Sequence, residues 1–375
     1  MVWMRIAANA RSVANIESEA ENLRSPGFAA VAGLSNKQFD QLRARLLRWL
    51  KVCMPANTEV AIQMPHASIR AAQVAILMCT KNGAAFLDEQ LNSIGGQTHA
   101  NWTLFVSDDG STDETRNILR RFADSHEQKI VVRNGPEKGV CANFLSLATD
   151  PAIDADYFAF SDQDDVWDKD KLERALTWLV TVPVDVPALY CGRTELVSND
   201  GQSCGLSPLF TRPIAFRNAL IQSLGGGNTM VFNKAAKRLL ETLGGLEVVL
   251  HDWWMYQLIS AVGGVIRYDP QPTLKYRQHA DNLIGSNLGW RAHLVRIHMM
   301  LSGRFSAWNS MNIAALQQVP ADLIKPQNSM VLQLFVKART ASLLKRLYYL
   351  KQSGVYRQKL IGNIGLIVAT VLKRI

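Results

Sequence analysis

The sequence predicts an α/β protein built on a doubly wound, mostly parallel sheet with helices on both faces, followed by a helical, basic C-terminal region. From residue 74 onward, short apolar segments alternate with segments of helical spacing. Aspartate clusters follow two of the apolar segments, at Asp108 and Asp162. The charge also divides the chain, because residues 74–285 carry 19 basic and 26 acidic residues whereas residues 286–375 carry 13 and 1. These observations predict an acidic, motif-bearing middle part and a basic tail.

Residues 1–73 form an N-terminal extension in which no chemistry is visible. The segment has an Ala-rich start, a helix-like stretch at 36–52, and polar residues around Pro55 and Pro65. Met64 stands ten residues before the first predicted strand. We therefore expect that residues 1–63, in part or whole, come from an upstream start and are not native.

The elements after residue 73 are predicted from their periodicity. The pattern indicates strands at 74–79, 102–106 and 130–133, with helices at 86–94 and 114–123 between them. Strand, helix, strand, helix, strand is typical of a parallel doubly wound sheet, in which ligands bind at the carboxyl ends of the strands. Both aspartate clusters are expected at that edge.

The second cluster predicts a metal site. A strand over 157–160 ends in Asp162, Asp164 and Asp165, and a helical pattern over 168–180 follows. Crowded carboxylates repel one another unless a cation lies between them, and oxygen ligands favour Mg²⁺ or Mn²⁺. Such ions leave coordination positions for substrate phosphates, so we expect a diphosphate substrate.

This cluster has two simpler interpretations, a helix cap and a calcium loop. An Asp cluster before a helix often serves only as a cap, although Asp168 or Asp170 fits that position better. A calcium loop is excluded, because Val166 and Trp167 stand where it needs an oxygen ligand and a glycine.

Six motifs stand in order along the chain: VAILMCTKNG at 74–83, FLDEQLNSI at 86–94, DDGSTDET at 108–115, SDQDDVW at 161–167, HDWW at 251–254 and YRQH at 276–279. In this order they resemble the inverting family 2 glycosyltransferases, whose nucleotide-binding fold is called GT-A. The fourth, fifth and sixth motifs look most like the bacterial rhamnosyltransferase branch. The resemblance covers about residues 74–285, which we expect to form the GT-A domain, and leaves 286–375 as a basic helical region.

The resemblance implies a role for each matching residue. Asp252 corresponds to the general base, although many members have Glu-Asp where this chain has His251-Asp252. The nucleotide is expected to contact Thr80, Asp108, Asp109 and Asp162. The metal is expected on Asp164 and Asp162, with His279 as a third ligand, and the substrate is expected near Gly226, Trp253 and Trp254.

Structural alternatives remain for several of these residues. Asp252 fits a helix cap, and a histidine in a loop such as His279 is more often a surface or hydrogen-bonded residue. Either tryptophan of the HDWW motif fits core packing as well as stacking on a sugar. Gly226 lies in a Gly-Gly-Gly-Asn run that is equally typical of a plain turn.

The C-terminal tail predicts association with a membrane surface. Its apolar run at 364–372 is too short to span a bilayer, which needs about 20 residues. Basic residues beside amphipathic helices attract anionic lipid. The alternative is a helical subdomain that packs on the catalytic domain. Five cysteines without a Cys-x-x-Cys pair are typical of a reducing compartment, so we expect a cytoplasmic protein, peripheral at the inner face of the plasma membrane.

Together these observations predict an enzyme that moves a sugar, with L-rhamnose the first candidate, from a UDP- or dTDP-sugar. The acceptor is expected to be lipid-linked or a polysaccharide in surface glycan synthesis. Nucleic acid is not expected as a partner, because the motif-bearing part is acidic. A nucleotidyltransferase is the first alternative, but it would need a glycine-rich, basic loop where residues 80–83 offer only Lys81. The second alternative is an inactive glycan-binding or membrane-binding scaffold. The presence of Asp162, Asp164 and Asp252 together argues against it.

Overall fold

A seven-stranded sheet carries the predicted aspartate clusters in the computed structural model, which describes residues 66–278 and 303–375. The described strands are β1 (Val74–Thr80), β2 (Trp102–Asp108), β3 (Ile130–Asn134), β4 (Tyr157–Ser161), β5 (Val166–Trp167), β6 (Ala188–Gly192), β7 (Glu195–Val197), β8 (Ser203–Leu206), β9 (Val231–Asn233), β10 (Val265–Asp269) and β11 (Leu274–Arg277).

The main sheet has the order β10-β6-β9-β4-β1-β2-β3. Strand β1 pairs in parallel with β2 and with β4, and β2 with β3, whereas β9 runs antiparallel between β4 and β6. Strands β5, β11, β7 and β8 form a smaller sheet in that order. The predicted doubly wound, mostly parallel sheet is therefore confirmed.

Helices cover both faces of the main sheet. The described helices are α1 (His66–Ala71), α2 (Leu87–Gly95), α3 (Thr115–Asp124), α4 (Val140–Ala148), α5 (Lys171–Leu179), α6 (Phe216–Ala219), α7 (Lys234–Thr242), α8 (His251–Val262), α9 (Arg304–Gln318), α10 (Pro326–Thr340), α11 (Leu343–Ser353) and α12 (Leu360–Val371).

Strand β1 divides the core into two layers. Every side chain of β1 is buried, because both faces of the strand are covered, and successive side chains point to opposite faces. Ile76 and Met78 pack with the α2, α3 and α5 side, whereas Leu77 packs with the α4 and α8 side. A continuous apolar run without alternation is what a strand buried on both faces requires.

The strand ends differ slightly from the predicted ones. Strand β2 continues past Val106 through Ser107 and Asp108, because its ladder extends to Thr80 on one side and to Asn134 on the other. Backbone pairing therefore carries polar residues into the strand, and the aspartates begin within the sheet. The predicted helix at 36–52 lies outside the described residues.

The C-terminal helices pack on the same core as the α4 and α8 side of the sheet. Leu316, Phe335, Leu366 and Ala369 belong to that hydrophobic cluster, and Phe335 is fully buried. The alternative of a packed helical subdomain thus describes these contacts. Within the two described ranges, no helix is both long and apolar enough to cross a bilayer.

Candidate active site

One cleft of about 2070 Å³, here called the central cleft, brings together aspartates from three parts of the sequence. Asp109, Asp162, Asp164 and Asp252 all line it. The first three follow β2 and β4, whose carboxyl ends lie on either side of β1. Parallel pairing places these ends at one edge of the sheet, as the sequence predicted.

Asp109 lies just after β2 and is held by a backbone N–H at its carboxylate and by a lysine side chain at its carbonyl. Its Oδ1 accepts a hydrogen bond from the Glu137 N–H at 2.6 Å, and Lys81 Nζ donates to its carbonyl at 2.5 Å. Gly135 packs against it so closely that a Cβ there would lie 2.7 Å from Oδ1. The carboxylate is therefore fixed in the cleft wall before any ligand arrives.

Asp108 occupies a different position from its neighbour. Its side chain is fully buried and accepts hydrogen bonds from Thr80 Oγ1 at 2.9 Å, Ser111 Oγ at 2.5 Å and Arg116 Nε at 2.6 Å. Burial alone would raise the pKa of Asp108, but these bonds hold it below its ordinary value. The predicted contact between Asp108 and a nucleotide does not fit this placement. Asp108 instead fixes Thr80, which does line the cleft.

Asp162 and Asp164 fit a divalent cation. Both line the cleft, and burial, followed by the negative charges of Asp164 and Asp252, raises the pKa of Asp162 above its ordinary value. Such a group gains most from a nearby positive charge. Within the described ranges no group of three or more His, Cys, Asp or Glu side chains is arranged to hold a metal ion. His279 lies outside the described residues.

Asp165, the third acid of the cluster, does not line the cleft. It is fully buried, and its Oδ2 accepts a hydrogen bond from Asn228 Nδ2 at 2.6 Å. Asn228 follows three glycines, 225–227, and lies within a short 3₁₀ turn, Gly227–Thr229. The third acid therefore ties the Gly-Gly-Gly-Asn segment to the loop of Asp162 and Asp164.

Strand β11 supports the acidic loop from below. The buried Arg277 donates from Nε to the Asp164 carbonyl at 3.2 Å and from Nη1 to the Asn199 carbonyl at 2.7 Å, and it pairs with Glu89. Its neighbour Tyr276 lines the cleft, where burial and the charges of the aspartates raise its pKa. The YRQH motif thus supplies a support and a cleft residue within the described part of the chain.

Asp252 enters the cleft from the first turn of α8. It is not the N-cap, which is Leu250, but its Oδ1 accepts a hydrogen bond from the Trp253 N–H at 2.5 Å. Burial raises the pKa of Asp252 to about 6, and hydrogen bonds from the N–H groups of Trp253, Gly227 and Asp252 itself act in the opposite direction. The carboxylate is a stronger base than an ordinary aspartate and is still ionised at neutral pH.

His251 is a packing residue beneath the glycine segment. Its ring stacks on Phe144 with centroids 4.0 Å apart and meets Phe160 edge-on at 4.9 Å. Burial lowers its pKa to about 3, so the ring is neutral. A Cβ at Gly227 would lie 2.3 Å from His251 Nε2, which explains a glycine at that position. The departure from Glu-Asp therefore leaves the neighbour of Asp252 uncharged.

The predicted substrate contacts divide between cleft and core. Gly226 and Trp253 line the cleft, and Trp253 Nε1 donates to the Ala219 carbonyl at 2.6 Å. Trp254 is 2% exposed and belongs to the hydrophobic core. The sugar contact predicted for Trp254 is therefore corrected. Successive residues of a helix point in different directions, and of the two neighbours Trp253 and Trp254 only Trp253 lines the cleft.

Gln163 links the loop of Asp162 and Asp164 to Lys81, just after β1, and sequence patterns do not identify it. Its Oε1 accepts a hydrogen bond from the Lys81 N–H at 2.9 Å, and its Nε2 donates to the Lys81 carbonyl at 3.1 Å. A Cβ at Gly83 would lie 2.3 Å from Gln163 Oε1. Gly83 in the first motif was the available signal, but its partner lies 80 positions away and local patterns do not identify it.

The chain is similar to several known proteins. Residues 75–240 match the family described as Glycosyl transferase family 2. The chain is similar to a dTDP-rhamnosyl transferase of Shigella flexneri, with 32% identity over 238 residues that cover 60% of this chain and 78% of that protein. It is also similar to the UDP-Glc:alpha-D-GlcNAc-diphosphoundecaprenol beta-1,3-glucosyltransferase of Escherichia coli, with 32% identity over 127 residues. That match covers 34% of this chain and 47% of the relative.

Among solved structures, the chain is similar to a mannosyltransferase from Pyrobaculum calidifontis in complex with GDP-Man and Mn²⁺. The identity is 18% and the TM-score is 0.44, with 81% of this chain and 86% of that chain covered.

Proposed function

The chain belongs to glycosyl transferase family 2, and we propose that it is an inverting, metal-dependent enzyme that moves a sugar from a nucleoside diphosphate to an acceptor hydroxyl in surface glycan synthesis. One observation carries this proposal: Asp109, Asp162 and Asp164 share a cleft with Asp252, which comes from a separate helix. The arrangement supports a nucleotide and a cation at one end and a base at the other.

Asp252 is the proposed general base. A sugar hydroxyl is a poor nucleophile at neutral pH, so a carboxylate within reach must accept its proton as the bond to the anomeric carbon forms. The bond from that carbon to the diphosphate oxygen breaks in the same step, and a single displacement inverts the centre. The raised pKa of Asp252, about 6, improves its proton affinity without protonating it at neutral pH.

Asp162 and Asp164 are the proposed holders of Mg²⁺ or Mn²⁺. When bound, the ion supplies Lewis-acid stabilisation of the negative charge on the leaving diphosphate. Asp109 and Thr80 are the proposed contacts of the nucleoside. The backbone hydrogen bonds to Asp109 and the Asp108 bond to Thr80 hold these groups in place, so little ordering is needed when the donor binds.

The donor and the acceptor are proposed from the relatives. The relative named as a dTDP-rhamnosyl transferase supports L-rhamnose on dTDP as the first donor to test. The relative that acts on a diphosphoundecaprenol-linked sugar supports a lipid-linked acceptor. A polysaccharide acceptor remains the alternative at this stage.

Release of free nucleoside diphosphate tests the proposal. Full-length protein is incubated with UDP- and dTDP-sugars, with and without Mn²⁺, and the products are quantified. We expect cation-dependent release from one donor. Asp252→Asn should lower kcat by about 10²- to 10⁴-fold, because it removes the base, while donor affinity stays the same. Asp185→Asn is the control, since Asp185 is exposed. No release from any donor, or normal turnover in Asp252→Asn, contradicts the proposal.

A further inference from the structure

One wall of the central cleft is aliphatic and comes from the last helix of the chain. The residues of α12 and its C-cap that line the cleft and are 42–61% exposed are Ile361, Ile364, Val368 and Leu372. Phe305 and Trp308 of α9 line the same region. This wall belongs to the cleft that holds Asp252, yet nothing in the proposed chemistry of donor and base uses it.

The wall is held in place by buried residues of the same helix. Leu366 and Ala369 are 5% and 2% exposed and pack in the hydrophobic core, and Thr370 is fully buried. The exposed residues recur at helical spacing, so they form one continuous face. A helix that already buries one side and keeps a second apolar face open indicates a binding surface.

The start of α12 is tied to the segment that precedes the base. Arg357 Nη1 donates to the Ile221 carbonyl at 2.9 Å, and the Gln358 N–H donates to Gln222 Oε1 at 2.9 Å. This segment continues to Gly227, whose N–H donates to the carboxylate of Asp252. The start of the aliphatic wall and the Gly227 contact to Asp252 are therefore connected through one stretch of chain, residues 221–227.

Positive charge stands where the wall begins. Lys359 is exposed, lines the cleft and immediately precedes α12, and Arg357 lines the cleft two residues before it. The cleft thus presents a base, cations and an aliphatic surface. An amphiphile that carries a sugar, a phosphate and a hydrocarbon chain has a group complementary to each of them.

We propose that the aliphatic wall binds the hydrocarbon chain of a lipid-linked acceptor, with the acceptor's phosphate at Lys359 and its sugar hydroxyl at Asp252. This inference rests on the proposed function and selects between its two acceptor classes. A polysaccharide is rich in hydroxyl groups, which lose water against isoleucine, valine and leucine side chains without gaining a partner. A hydrocarbon chain gains from the same contact.

A substitution at Gly365 fills the space beside the aliphatic wall. It lies within α12 and lines the cleft, and a Cβ built on it meets nothing within 4 Å. A glycine inside a helix lowers helix stability, so replacing it does not weaken α12. Gly365→Trp should therefore occupy the space of the chain and leave the helix folded. Ile364→Gln is a second variant, which makes the wall polar at an exposed position.

Calorimetric titration of the full-length protein with geranylgeranyl diphosphate, below its micelle concentration and without donor, tests the inference. Isopentenyl diphosphate is the comparison, because it shares the diphosphate but has a short chain. We expect the long chain to bind at least about tenfold more tightly, since it buries more apolar surface. Gly365→Trp and Ile364→Gln should remove that difference, whereas Leu344→Trp, at an 81% exposed position that does not line the cleft, should keep it.

The outcomes separate this inference from the proposed function. Equal affinity of the wild-type protein for the two diphosphates overturns the inference. Unchanged affinity in both Gly365→Trp and Ile364→Gln, with native circular dichroism, overturns it too. Neither result bears on the proposed function, because donor turnover is measured separately. A dimer that Gly365→Trp dissociates, without chain binding, would assign the wall to a second copy and also overturn it. Absence of donor turnover with intact chain binding counts against the proposed function instead.

Discussion

Asp252 is expected to set the pH dependence of the reaction. Only its ionised form accepts a proton, and its pKa is raised to about 6 by burial. We therefore expect kcat to fall as the pH drops below about 6 and to level off above it. Because Asp162 and Asp252 interact electrostatically, a cation at Asp162 should move this limb to lower pH. A pH–rate profile at two Mn²⁺ concentrations checks this, and a limb that moves upward with Mn²⁺ contradicts it.

Asn228 is expected to affect the pH of the acidic limb of the pH–rate profile without contacting the reacting atoms. Its amide holds the glycine segment to Asp165, and the Gly227 N–H in that segment lowers the pKa of Asp252. Asn228→Ala frees the segment, so the acidic limb should shift to higher pH.

The control for this change is Asn117→Ala, at an exposed site on α3. Both variants are compared by pH–rate profile and by thermal unfolding. A purely structural role for Asn228 would lower stability and leave the limb in place, and that result would sink the prediction.

Adjacent acids show what sequence reasoning reaches at this scale. The resemblance assigns a nucleotide contact to both Asp108 and Asp109, whereas of the neighbours Asp164 and Asp165 it assigns the metal to Asp164 alone. Only one of each pair lines the cleft. Successive side chains at a strand end point in different directions, and the burial of Asp108 and Asp165 depends on Arg116 and Asn228, which the motifs do not specify.

At the scale of elements, α12 presents a second exposed face beside its cleft wall. Leu360, Ile367 and Val371 are 79%, 52% and 44% exposed and do not line the cleft. Residues 303–375 also carry 11 basic residues and one acidic residue. This combination supports the proposed peripheral attachment to an anionic membrane surface, at about 1 kcal/mol for each basic residue near the lipid.

A triple change of Leu360, Ile367 and Val371 to Gln should strongly reduce sedimentation with anionic vesicles, because it removes the apolar contact. Wild-type protein should sediment with the vesicles and be released by salt, since screening weakens the electrostatic attraction. Leu344→Gln, at another exposed apolar position, is the control. Equal sedimentation of wild type and triple variant, or none by the wild type, would rule out attachment through this face.

Element prediction succeeded where one segment forms its own pattern. The strand at Val74–Thr80 and the helix at Leu87–Gly95 were predicted to within one residue at each end. The sequence predicts a helical tail, but it does not distinguish a tail that binds a membrane surface from one that packs on the catalytic domain. Its periodicity reports an apolar face and does not report what covers that face.

At the scale of the whole molecule, the C-terminal helices and the sheet share one core. Phe335 of α10 is fully buried in the cluster that also contains Leu77 and Phe160. Phe335→Ala should therefore lower the free energy of unfolding by about 3–5 kcal/mol. Because the core is continuous, the sheet and the tail should unfold in a single transition.

Chemical denaturation followed by tryptophan fluorescence and by circular dichroism measures both expectations. Met330→Ala is the matched control, since Met330 lies on the same helix and is 59% exposed. It should change stability by no more than about 0.5 kcal/mol. Separate transitions by the two probes would show that the tail is an independent unit and that the shared core does not couple it to the sheet.

The sequence by itself determined the fold class, the order of strands and helices, the family and the edge of the sheet that carries the aspartates. These follow from local periodicity and from one rule, that parallel strands place their carboxyl ends together. Only the tertiary structure decided that Asp109 lines the cleft while Asp108 is buried, that Trp254 packs in the core, and that α12 forms a wall of the cleft. Each of these depends on contacts between distant segments, such as Arg357 with Ile221, whose 136-residue separation leaves no periodic trace in the chain.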